Sequence, residues 1–213
     1  MTAAPSFRRE SDSQGKLRLA RCAKKETQLA DQHENRTHRS LGCPLNEDPM
    51  VSDNGNRLGT YSERVVEALS SLGWTTDRSS PPDEYLTELS SSGFPINETA
   101  KVILQSFGGY AFQIPDGGIP WISFTITEAR HAFRSDYLPI LTTLIDEAEA
   151  CPVGGGGGYI LFACPSGKVA LLQEQWFYLT VAESFGDILE AILFNDRKRC
   201  RDVPNVEACC PDW

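Results

Sequence analysis

The apolar residues of this chain first change period near residue 109, and that change constrains the fold more than any other feature. Val65, Ala68, Leu69 and Leu72 share one helical face between Tyr61 and Leu72, and Gly73 follows as a stop. Ser80-Pro81-Pro82-Asp83-Glu84 opens a second helix, with Tyr85, Leu86 and Leu89 on its apolar side and Gly93 at its end. Asn97-Glu98 caps a third, carrying Ala100, Ile103, Leu104 and Phe107, which closes at Gly108-Gly109. From Tyr110 the period is two. Tyr110–Ile114 and Trp121–Ile126 read as strands around Pro115-Asp116-Gly117-Gly118.

Tyr137–Ala148 returns to a helical pattern through Leu138, Leu141, Leu144 and Ile145. Tyr159–Ala163, Pro165-Ser166-Gly167 and Val169–Leu172 form a hairpin, Trp176–Leu179 reads as a further strand, and Val181–Phe194 as a closing helix. Helices, then strands, then a helix, without βαβ alternation, predict an α+β fold. N-terminal helices pack on a mainly antiparallel sheet, and a C-terminal helix closes it.

Composition divides the chain near residue 50. Residues 1–50 hold one aromatic residue, Phe7, and nine basic against seven acidic side chains; residues 51–213 hold 11 basic and 22 acidic. The first segment cannot bury enough apolar surface to offset its ordering entropy. Residues 1–57 are therefore expected to be a disordered extension, with Met50 a possible true start. Residues 58–195 are expected to form the domain and 196–213 a cysteine-containing tail. The net charge of −9 and pI near 4.9 argue against nucleic-acid binding by bulk charge. The start of the chain lacks a secretory apolar segment, and no stretch reaches the roughly 18 apolar residues of a spanning helix. Seven irregularly spaced cysteines do not read as a disulfide framework, so a reduced, cytoplasmic protein without membrane association is expected.

Few residues invite catalysis. His131 reads as a surface or helix-edge residue, and Cys151 and Cys164 as small apolar fillers. Gly154–Gly158 lacks the Gly-Lys-Ser/Thr and the helix of a phosphate loop, and reads as a flexible loop. Cys200, Cys209 and Cys210 lack the spacing of a zinc site, and the basic cluster Arg197-Lys198-Arg199 with Arg201 complements a helix end. No catalytic residue, metal or cofactor is expected. Trp74, Trp121 and Trp176 read as core, and any of them that is exposed on the sheet becomes a binding anchor.

The order of these motifs resembles the SUKH superfamily, specifically its third subfamily of bacterial immunity proteins. The resemblance spans residues 61–194, about two-thirds of the chain. It rests on Leu72-Gly73-Trp74 with Arg78, Gly93-Phe94-Pro95, and Leu104 with Phe107-Gly108-Gly109. Cys151-Pro152-Val153-Gly154, Pro165-Ser166-Gly167-Lys168-Val169 and the helix Phe185–Leu193 complete it. The resemblance implies a non-enzymatic module that binds and neutralises a cognate toxin, often a nuclease. An acidic face complements a basic nuclease cleft. Asp116 and Glu174, with Trp121 or Trp176 as aromatic anchor, are the expected partner-binding residues. The alternatives are a small enzyme using His131 and a cysteine, or a regulatory adaptor on the same fold.

Overall fold

The computed structural model describes residues 61–114, 118–131 and 134–210. The chain divides between Asn46 and Glu47, and every described residue belongs to the second unit. The expectations for residues 1–57 and for the turn at Asp116 lie outside the described residues.

Two of the first three helices end by the same device. α1 (Glu63–Ser71) and α2 (Asp83–Ser91) run into Leu69-Ser-Ser-Leu-Gly73-Trp74 and Leu89-Ser-Ser-Ser-Gly93-Phe94. Gly73 and Gly93 take φ +91° and +86°. The Trp74 and Phe94 amides then donate back to the Leu69 and Leu89 carbonyls, and Gly73 and Gly93 to Ser70 and Ser90. This double bond from a left-handed residue satisfies the orphan carbonyls of a helix end and brings an aromatic side chain back toward it. Both aromatics are buried, and Trp74 stacks on Phe107 at 5.1 Å.

α3 (Glu98–Phe107) starts at Asn97, whose side-chain oxygen accepts from the Ala100 amide at 2.9 Å. The Asn97 amide group also donates to the Ala163 carbonyl at 2.9 Å, so a buried cap pins the helix to the sheet. Phe107 then joins Trp74, Phe124 and Phe185 in an aromatic cluster at the core.

The strands are β1 (Ala111–Gln113), β2 (Trp121–Ser123), β3 (Cys151–Gly156), β4 (Tyr159–Ala163), β5 (Val169–Gln173), β6 (Leu179–Ala182) and β7 (Cys200–Asp202). They form one antiparallel sheet in chain order, each strand bonded to the next. Ile160, Leu161, Phe162 and Ala163 are all buried, so both faces of β4 are covered. α4 (Ile126–His131) and α3 pack on β3, while α6 (Phe185–Phe194) packs on β5, β6 and β7 and receives α1. A short 3₁₀ turn leads into α5 (Leu138–Ile145). The α+β architecture matches the sequence expectation, with the sheet wholly antiparallel.

Three local expectations change. Trp121–Ile126 is strand only to Ser123, because Ile126–His131 turns into α4. The closing helix starts at Phe185 rather than Val181, since β6 runs to Ala182 and Ser184 caps the helix, accepting from the Asp187 amide. Cys200–Asp202, read as tail, supplies the seventh strand through pairing with Thr180, Val181 and Ala182.

Candidate interaction surface

The antiparallel order puts the turns β1–β2, β3–β4 and β5–β6 at one end of the sheet. Gln113 pairs with Trp121, Gly156 with Tyr159 and Tyr159 with Gln173 there. The chain after β7 returns to the same end, where the Val203 amide donates to the Leu179 carbonyl.

The glycine run builds this end and is not a flexible loop. Gly154, Gly155 and Gly156 lie in β3 and pair with Leu161, Ile160 and Tyr159. A β-carbon at Gly154 would stand 2.6 Å from the Ser123 carbonyl oxygen, and one at Gly156 would stand 2.7 Å from Cε3 of Trp121. The run is glycine because β2 and its tryptophan lie against the β3 backbone. The pairing of Gly154–Gly156 with β4 commits their backbone to the ladder, which is incompatible with a phosphate-binding loop.

Trp121, so packed, is still 37% exposed. Glu174 is half-buried, with its amide donating to the Gly158 carbonyl, so the β3–β4 and β5–β6 turns are bonded together. Trp176 departs from the expectation of an exposed anchor: it is 1% exposed and lies edge-on to Tyr137 with ring centroids 6.3 Å apart. It is not in a strand either. Its φ is +61°, a region that a bulky side chain rarely occupies, and its amide donates to the Gln173 carbonyl to close a turn. The residues that sequence reasoning misses follow directly: Phe177 and Tyr178 are 57% and 59% exposed. Alternation in a strand is the wrong template for them, because the left-handed residue before them reverses the pattern.

Electrostatics around the sheet are one-sided. The described residues include 19 acidic and ten basic side chains. Eight of the ten basic groups are ion-paired: Arg64, Lys101, Arg130, Arg134, Lys168, Arg197, Lys198 and Arg199. Arg64 bonds Glu190 and Asp196, and this bond holds the Asp196 carboxyl below its usual range. Arg197, Lys198 and Arg199 reach Asp202, Asp196 and Asp187. Several arginines also cover rings: Arg64 lies 4.7 Å from the Phe194 centroid, Arg78 5.3 Å from Tyr110 and Arg134 5.0 Å from Tyr137.

The candidate nucleophiles sit in the wrong surroundings for catalysis. Cys151 and Cys164 are buried, and burial pushes each thiol up to about 12. A nucleophilic cysteine needs the opposite shift. Burial likewise pushes Cys200 up to about 11. Cys151, Cys164 and Cys200 are free thiols. His131 ends α4, and its side chain lies outside the described residues. Among the described residues there is no cluster of three or more metal-ligating side chains. A shallow cleft of about 320 Å³ lies between α2 and the end of α3, lined by Glu84, Tyr85, Glu88, Leu104 and Ile126. Of these, Tyr85 donates its hydroxyl to the Thr125 carbonyl, and Glu88 is paired with Arg130.

Fold and surface together define an α+β domain with a continuous antiparallel meander and an acidic exterior. No family model, curated protein or solved structure matches the chain. Among the described residues no helix is long and apolar enough to cross a membrane.

Proposed function

We propose that this protein is a non-enzymatic immunity protein that binds and neutralises a cognate toxin with a basic surface. The observation that carries the reading is the consumption of positive charge within the fold: eight of ten basic side chains among the described residues are held by carboxylates. The surplus carboxylates then give the exterior one sign. Such a field repels nucleic acid and draws in a protein that presents Lys and Arg. A nuclease is the fitting toxin, because its cleft is basic in order to hold phosphate. The resemblance of residues 61–194 to SUKH immunity proteins supports the same reading, and it implies a cytoplasmic site of action. The raised Cys151 and Cys164 thiols weigh against an enzyme built on His131 and a cysteine.

The test is survival. Cells making the product of the neighbouring gene, the first candidate toxin, are grown with and without this chain. Protection that persists in the C151S/C164S/H131A variant supports a binder. Protection lost in that variant, with its melting temperature unchanged, overturns the reading in favour of an enzyme. A growth defect on deleting the chain when no toxin is present points instead to an adaptor with a housekeeping partner.

A further inference from the structure

The turn between β5 and β6 combines a left-handed tryptophan, the burial of its ring and two exposed aromatic neighbours. Trp176 is held at φ +61° although it is neither glycine nor asparagine, a conformation that persists only where the surroundings fix it. Its ring is 1% exposed, so burial is what fixes it. The two residues that follow, Phe177 and Tyr178, are more than half exposed, and among the described residues neither ring stacks on another ring or lies under a cation. Phe194, by contrast, is 37% exposed and has Arg64 over it.

We propose that this turn is a preformed aromatic seat for arginine side chains of a basic protein partner, with Trp176 as the buried peg that holds Phe177 and Tyr178 outward. The partner's chemistry follows from charge and from the fold's own practice. Glu174 lies in the same turn, and the domain's exterior is acidic. Three arginines of this chain already sit 4.7, 5.3 and 5.0 Å from aromatic centroids. A planar guanidinium stacks on a ring while its edge donates to a carboxylate, which ammonium cannot do. Holding two large rings in place before binding removes much of the ordering cost of an interface and suits a central anchor. The assignment of the partner as a toxin rests on the proposed function; the chemistry of the seat does not.

The experiment uses the full chain and an oligoarginine peptide, with oligolysine and oligoglutamate of the same length as comparisons. Ring resonances of Phe177 and Tyr178 are followed by NMR during titration. The seat predicts saturable shifts of those rings and an order of preference of arginine over lysine, with no shift from oligoglutamate. Affinity for oligoarginine should fall about tenfold in F177A/Y178A, whose exposed side chains leave the fold intact. E174Q should weaken it by a smaller factor. Equal affinity of F177A/Y178A for oligoarginine, or shifts at other acidic surfaces with none at these rings, overturns the seat. Oligoarginine binding at the turn in a chain that does not protect against toxin would keep the seat and sink the inhibitor reading. Protection, toxin affinity and oligoarginine affinity all unchanged in F177A/Y178A would do the reverse.

Discussion

Gly154 shows how one residue type can be fixed by what lies against it. A β-carbon there would stand 2.6 Å from the Ser123 carbonyl oxygen, which leaves no room for a side chain, and the neighbour is backbone that cannot swing aside. Gly154→Ala is therefore expected to cost about 2 kcal/mol, in the range of overpacked interiors. Gly158→Ala meets no atom within 4 Å, so its only penalty is the left-handed φ of +83°, about 1 kcal/mol. Urea unfolding of the two variants checks the order. Equal midpoints would mean that the glycine run is a loop after all. That packing role could not be read from the sequence, because five consecutive glycines look alike whether they are mobile or clamped. The buried thiols give a second residue-scale expectation. Cys151 and Cys164 are raised to about 12 from an ordinary value of 9.0, so the folded state holds their protons more tightly than the unfolded state. Their contribution is complete below pH 9 and is lost as pH rises toward 12, by up to about 1.4 kcal/mol per thiol per pH unit. Replacing both with serine should flatten the alkaline limb of a stability-against-pH curve. An unchanged slope between pH 9 and 11 would contradict the assignment.

At the scale of elements, caps and turns decide where each segment stops. Much of this is legible in the sequence: Asn97 before α3, glycine after α1 and α2, and Pro165-Ser166-Gly167 between β4 and β5 all do what their chemistry predicts. The elements that the sequence hides are short and depend on partners distant along the chain. β7 has three residues and exists because β6 offers it an edge, and α4 begins where the apolar run Trp121–Phe124 leaves β2. The candidate site is half legible for the same reason. Trp121 and Glu174 stand out, but the strand-like pattern of Trp176–Leu179 conceals the exposure of Phe177 and Tyr178. Two variants probe the elements. Asn97→Ala removes both a helix cap and the donor to the Ala163 carbonyl, so a loss of about 2 kcal/mol is expected by thermal unfolding. Trp176→Ala empties a core position and should cost about 3–5 kcal/mol, whereas Phe177→Ala should stay within about 0.5 kcal/mol. Comparable losses at the two positions would place Trp176 outside the core.

For the molecule as a whole, the fold and the charge act at different ranges. The meander and its covering helices set which side chains are rigid, and the internal ion pairs leave carboxylates in excess outside. Exposed pairs of this kind add little stability, so their main consequence is the sign of the exterior field. Such a field governs approach to a partner, while aromatic contacts govern how long the partner stays. In the proposed function, this chain binds a basic toxin by electrostatic steering. The most direct test is the association rate with the neighbouring-gene product at low and at high ionic strength. Association should slow at least about tenfold as salt rises while dissociation changes little, and Glu174→Lys should slow association at low salt alone. An association rate independent of salt, and the same for Glu174→Lys, would contradict it.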